Sequence, residues 1–238
     1  MKLKAFHAYD IRGRFGTDLT TDIAYKVGYF VPELLGTKRV LLGRDMRLSS
    51  PALHEAVLNG LLDAGAEVCD LGLSTTPFVY YVTAKHGFKA SIQITASHNP
   101  KDDNGLKVSR ELALPVGYDT GLSTIEQWIL EDRPTPVAAQ RGTVCDYDVR
   151  DEYVEFLNSF KQDFSNLSIG MDCSTAWRRS SSTAFSANSP AICTIPSTAV
   201  SRTMRPILSS PRPWSTCRSW SSRKNVTSAS STTAMPTA

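Results

Sequence analysis

Apolar and polar residues alternate along Lys89–Thr95, with Ala90, Ile92 and Ile94 on one side and Ser91 and Gln93 on the other. That period of two is the signature of a strand. A short apolar run at Lys38–Gly43 predicts a second strand, and further strands are read at Glu67–Leu71 and Gly142–Tyr147. Between them the spacing changes to three and four. Thr20 or Thr21 caps a helix over Asp22–Leu35 that lines up Ile23, Val27, Phe30 and Val31, and Ser49-Ser50-Pro51 starts a second that runs to about Ala64, where Gly65 closes it. Further helices are predicted at Pro77–His86, Asp119–Leu130 and Val149–Phe160, the last with Tyr153, Phe156 and Leu157 at helical spacing. Strands that alternate with helices imply an α/β fold, a three-layer α/β/α sandwich with a mostly parallel mixed sheet. In such sheets ligands bind beyond the carboxyl ends of the strands.

One strand end carries chemistry. Lys89–Thr95 runs into Thr95-Ala96-Ser97-His98-Asn99-Pro100, where Pro100 keeps its predecessor out of the helical region. Asn104-Gly105 is expected to reverse the chain before the short run Leu106-Lys107-Val108, so that Ser97, His98 and Lys107 share one mouth. Near the start, Tyr9-Asp10-Ile11-Arg12 precedes two glycines read as loop residues, Gly13 and Gly16. The planar fork of Arg12 suits phosphate oxygens, although a solvated loop arginine is the plainer reading. A serine beside a histidine also invites a hydrolase, but adjacent side chains seldom face each other and there is no Gly-x-Ser-x-Gly elbow. A turn in which Ser97 and Asn99 bond local backbone is the commoner outcome, and residue types alone do not choose. Arg44 and Arg47 fit either a phosphate site or a structural loop pair. His7, His54 and His86 lack metal-ligand spacing and read as surface or packing residues.

Composition splits the chain. Residues 177–238 hold seven arginines, Lys224 and no acid, whereas the first 176 residues carry 18 basic against 23 acidic side chains, a net of −5. The overall +3 describes neither part. Five cysteines form no Cys-x-x-Cys pair and read as reduced thiols. No apolar run reaches membrane-spanning length, so a cytoplasmic location is expected.

Tyr9-Asp10-Ile11-Arg12-Gly13, Thr95-Ala96-Ser97-His98-Asn99-Pro100 and Asn104-Gly105-Leu106-Lys107 together resemble the α-D-phosphohexomutases, specifically their phosphomannomutase/phosphoglucomutase branch. The similarity spans roughly residues 1–176. It implies that Ser97 is the phosphorylated serine, with His98 and Lys107 as its catalytic neighbours and Tyr9, Arg12 and Asn99 as substrate or phosphate contacts. It also implies Mg²⁺ as cofactor, touched in this chain only by Ser97 through its phosphate, and a hexose phosphate as substrate. Phosphate would pass between C6 and C1 through a bisphosphate, a transfer that depends on positioning and charge neutralisation. Neither a membrane nor a nucleic acid is an expected partner, and oligomeric state stays open.

Three parts of that family are missing: an Asp-Gly-Asp-x-Asp-Arg metal loop, a Gly-Glu sugar loop and a C-terminal phosphate-binding domain. In their place 25 of the 62 residues from Trp177 to Ala238 are Ser or Thr. Reading Val226–Ala238 one frame over permits Asp-Val-Gly-Val-Ile-Tyr-Asp-Gly-Asp-Ala-Asp-Arg. Likewise Ser174-Thr175-Ala176-Trp177-Arg178 is what Ser-Asn-Gly-Met-Ala becomes when one base of the Asn codon is lost. The expected organisation is therefore the first phosphohexomutase domain over 1–162, the truncated start of a second over 163–176, and a disordered, out-of-frame tail over 177–238. Such a chain is expected to lack mutase activity alone. The alternatives are a phosphoglucosamine mutase and a non-catalytic sugar-phosphate-binding remnant with a basic tail.

Overall fold

The structure, a computed structural model, describes residues 2–162 and the backbone of 169–171 and 192–194. The chain divides into units of residues 1–153 and 154–238. The first holds strands β1 (Ile11–Arg14), β2 (Arg39–Arg44), β3 (Glu67–Leu73), β4 (Ala90–Ile94), β5 (Asp103–Arg110) and β6 (Thr143–Asp146). Its helices are α1 (Thr21–Leu34), α2 (Ser50–Asp63), α3 (Thr76–Lys85) and α4 (Leu122–Leu130), and α5 (Arg150–Asn158) spans the division.

The six strands lie in the order β1-β5-β4-β2-β3-β6. β4, β2, β3 and β6 are parallel, whereas β5 runs antiparallel to both β4 and β1. This mixed sheet agrees with the sequence reading. Strand pleat explains the two cores: Val40, Leu42 and Val68 join one cluster with residues of α1, α2 and α4, while Leu41, Cys69 and Leu71 join Phe78, Val79 and Val82 of α3 on the other face. All five residues of β4 are buried, Ser91 and Gln93 included, because helices cover both faces.

Local signals start α1 and α3 close to where expected. Thr20 Oγ1 accepts from the Ile23 N–H and Thr75 Oγ1 from the Phe78 N–H, each satisfying a donor that the first turn leaves open. α1 and α2 approach at glycine: a Cβ on Gly28 would strike the carbonyl oxygen of Val57, and one on Gly60 that of Tyr25.

Three expectations are corrected. Asn104-Gly105 is not a turn but lies inside β5, paired with Gly13 and Arg12 of β1. The Asn104 amide is buried and donates to Ser49 Oγ and Ser50 Oγ, and Gly105 sits where a Cβ would meet the carbonyls of Ile11 and Thr95. These residues serve a close backbone approach, and the reversal falls earlier, at 97–102. Arg12 and Gly13 accordingly belong to a strand rather than a loop. Helix α4 begins later than Asp119, after a separate 3₁₀ turn at Tyr118–Thr120, because Gly121 with φ of 151° interrupts the helix.

In the second unit, Ile169–Met171 (β7) pairs in parallel with Ile192–Thr194 (β8), a strand within the stretch expected to be disordered. The other residues of the expected second-domain start and tail, 163–168, 172–191 and 195–238, lie outside the described residues.

Candidate active site

β5 runs back along β4, so a short loop rather than a crossover helix joins them. Ser97 sits on that loop. Thr95 stays in register by donating its N–H to Gly105 O at 2.9 Å, and its Oγ1 accepts the Ser97 N–H at 2.9 Å. Ser97 takes a left-handed φ of 55°. For a residue with a Cβ, that conformation costs about 1 kcal/mol and persists only where surroundings hold it. Its side chain is exposed, as is that of His98, and Ser97 Oγ lies 3.3 Å from His98 Nδ1. The two neighbours do face each other, against the sequence expectation, because the left-handed residue turns them together.

Arg47 holds the loop. From the segment joining β2 to α2, its Nη1 donates to the carbonyl oxygens of Pro100 (2.7 Å) and Asp103 (2.9 Å), and its Nη2 to those of Asn99 (2.8 Å) and Ser97 (3.0 Å). Asp45 pairs with Arg47 Nε at 3.3 Å and receives the Ser50 hydroxyl. Of the two readings left open for Arg47, the structure selects the structural one.

β1 and β5 bring a second set together. Arg12 stands opposite Gly105, and Lys107 is two residues further along β5, so both project from the same face. Asp10 lies between them, 4% exposed, 2.8 Å from Arg12 Nη2 and 3.0 Å from Lys107 Nζ. Two cations on one buried carboxylate leave a net positive charge. Arg12 Nη1 also donates to Asn99 Oδ1 at 2.9 Å, and Asn99 Nδ2 to Asp103 Oδ2 at 2.9 Å. A continuous polar chain thus runs Lys107, Asp10, Arg12, Asn99, Asp103, ending in the serine loop. Tyr9 is 78% exposed beside it.

The chain matches, over residues 3–135, the model of the phosphoglucomutase/phosphomannomutase α/β/α domain I. The chain belongs to this family. Among relatives of the phosphoglucomutase/phosphomannomutase family, a phosphomannomutase of Klebsiella pneumoniae is 44% identical over 155 residues, covering 65% of this chain and 99% of that one. A phosphomannomutase of Escherichia coli is 43% identical over 67% of this chain but only 35% of its own length. The chain thus spans about a third of that longer relative. The crystal structure of a family protein from Burkholderia thailandensis superposes with a TM-score of 0.63 at 32% identity, over 72% of this chain and 39% of that one.

Sequence reasoning placed Ser97, His98, Asn99, Arg12 and Lys107 in one region, and the structure links Arg12 to Asn99 and, through Asp10, to Lys107. It passed over Asp10 as a bridging carboxylate. The only available signal was its position between Tyr9 and Arg12. His54 and His86 lie elsewhere. His54 Nε2 pairs with Asp70 at 3.0 Å, and His86 bonds the Tyr147 hydroxyl at 2.9 Å and Glu152 at 3.1 Å.

Proposed function

We propose that this chain carries the phosphoserine domain of a hexose-phosphate mutase. In the whole mutase, the serine at this position would give its phosphate to one hydroxyl of a hexose monophosphate, glucose or mannose, and take phosphate back from the other. The observation that carries this reading is an exposed Ser97 Oγ on a fastened loop, tied through Asn99 and Arg12 to the shared carboxylate of Arg12 and Lys107. A phosphorylated serine adds about −1.5 to −2 charge, which the Arg12 and Lys107 cations would partly offset. In its 3.3 Å contact, His98 is suited to hold the serine proton, and Arg12, Asn99 and Tyr9 are suited to meet substrate phosphate or hydroxyls.

Mg²⁺ was expected from the resemblance. Among the described residues no group of three or more His, Cys, Asp or Glu could hold a metal ion. Asp10 is already engaged by two cations and Asp103 by Asn99. These residues do not fit a Mg²⁺ cage.

The absence of acid from residue 177 onward supports the further proposal that this stretch is read out of frame. The nucleotide sequence tests it: one base restored near Thr175 must open a frame that contains an acidic metal loop beyond residue 226. On this reading the chain acts in the cytoplasm and lacks mutase turnover. Among the described residues no helix is long and apolar enough to cross a membrane.

The test is phosphate mapping. After incubation of the full chain with a hexose 1,6-bisphosphate, mass spectrometry is expected to find phosphate on Ser97 and none in Ser97→Ala. Phosphate elsewhere, or nowhere, would overturn the reading and favour a binding-only remnant.

A further inference from the structure

Five cysteines scattered through the sequence showed no pairing motif, yet the sheet sets two of them side by side. Cys69 of β3 is in direct register with Cys145 of β6, and their sulfurs are 4.0 Å apart. Register partners on adjacent strands point to the same face, and strands lie about 4.8 Å apart, within the Cα separation of about 4.4–6.8 Å that a disulfide accepts. The two differ in access. Cys69 is 1% exposed among Leu41, Leu71 and Phe78, whereas Cys145 lies exposed on the edge strand of the sheet.

We propose that Cys69 and Cys145 form a peroxide-responsive dithiol whose disulfide latches edge strand β6 onto β3. The oxidant is hydrogen peroxide. The Cys145 thiolate attacks one peroxide oxygen, the O–O bond breaks, and hydroxide leaves and takes a proton to become water, which leaves Cys145 as a sulfenic acid. The Cys69 sulfur then attacks the Cys145 sulfur. The S–O bond breaks, the departing hydroxide takes the Cys69 proton, and a second water forms with the S–S bond. Two thiols lose two electrons and one peroxide gains them.

The order follows from the surroundings. Burial first, then the neighbouring Cys145, pushes the Cys69 thiol up to about 11 against the opposing pull of Arg39, so Cys69 suits the resolving step rather than the first attack. Proximity compensates for its low ionisation. The latch matters because, among the described residues, β6 pairs with the sheet on one side only, and all four of its residues are exposed.

The experiment treats the full chain with a small excess of hydrogen peroxide, blocks remaining thiols and maps peptides. The expected result is a Cys69–Cys145 linked peptide, reversed by dithiothreitol, with the oxidised protein melting several degrees above the reduced one. Cys145→Ser should leave Cys69 a free thiol and abolish the Tm shift. Cys69→Ser should leave a Cys145 sulfenic acid that dimedone traps. Oxidation of Cys145 to sulfinic acid with Cys69 still free, in protein of native circular dichroism, would overturn the proposal. Links from either cysteine mainly to other cysteines, or a disulfide without a Tm rise, would do the same.

Discussion

Arg47 Nη2 donates to the carbonyl oxygen of Ser97 at 3.0 Å, across fifty residues of chain. With three further carbonyls on the same guanidinium, the loop is gripped by its backbone while the Ser97 side chain stays outside the grip. The phosphate-carrying role proposed for Ser97 needs that combination, a fixed main chain and a free hydroxyl.

Arg47→Ala should therefore release the loop. Hydrogen bonds to a charged group are worth roughly 1.5–3 kcal/mol each and are not additive, so a loss of about 2–4 kcal/mol in urea unfolding is expected. Local release is read separately by faster tryptic cleavage after the exposed Lys101 at urea-free conditions. Arg47→Lys should recover only part, because an ammonium cannot fork to four acceptors.

Asp10→Asn leaves Arg12 and Lys107 without the carboxylate between them. A destabilisation of about 2 kcal/mol is expected, and Lys107→Met in the same chain should restore part of it by removing the repulsion. Additive losses in this double-mutant cycle would show that the two cations do not interact through Asp10.

Acid stability should depend on Asp70. Burial alone would push its carboxyl up, yet the hydrogen bond and charge of His54, the Gly72 N–H and Arg44 outweigh it and hold the group below its ordinary 3.8. A carboxylate lowered by folding contributes stability above its unfolded value, and that contribution is withdrawn as pH falls through the folded one. Asp70→Asn should cost about 1–2 kcal/mol at pH 7 and show a shallower loss from pH 5 to pH 2, measured by urea midpoints. Some slope will remain. Asp63 is also lowered, because Arg141 and Tyr25 together outweigh its burial.

Gly60→Ala should destabilise despite a helix-propensity gain of about 1 kcal/mol, because the new methyl meets the Tyr25 backbone and overpacking of this kind costs roughly 1–3 kcal/mol. A raised urea midpoint would refute the close approach of α1 and α2.

Leu112 and Ala113 both hold φ near 60° in a tight turn closed by the Leu114 N–H on Glu111 O. A turn with two left-handed positions prefers Asn-Gly, and Leu112 is 71% exposed and packs little. Replacing the pair with Asn-Gly should raise stability by about 1 kcal/mol, visible as a higher Tm.

Much of this was legible in the chain. The sequence located β2, β3, β4 and β6 to within two residues: a strand buried on both faces, such as β2, reads as a short apolar run, whereas β6 is exposed and legible only from its place in the strand–helix alternation. The motif residues Arg12, Ser97, Asn99 and Lys107 were legible as well, since their types and order carry the family resemblance. Asn104-Gly105 misled because the same dipeptide serves a tight turn and a close backbone approach, and only the partners Ser49, Ser50, Ile11 and Thr95 distinguish them.

The alternation of strands and helices, the residue types of the candidate site and the change in composition beyond residue 176 are all properties of neighbours along the chain, and so are legible in it. The grip of Arg47 on the serine loop, the bridge of Asp10 between two cations and the meeting of Cys69 with Cys145 are instead set by the folded domain. Each of the three depends on sheet order and register. β1 and β5 are separated by some ninety residues, and β3 and β6 by some seventy, so their pairing is set by burial and backbone hydrogen bonding across the whole domain rather than by local spacing.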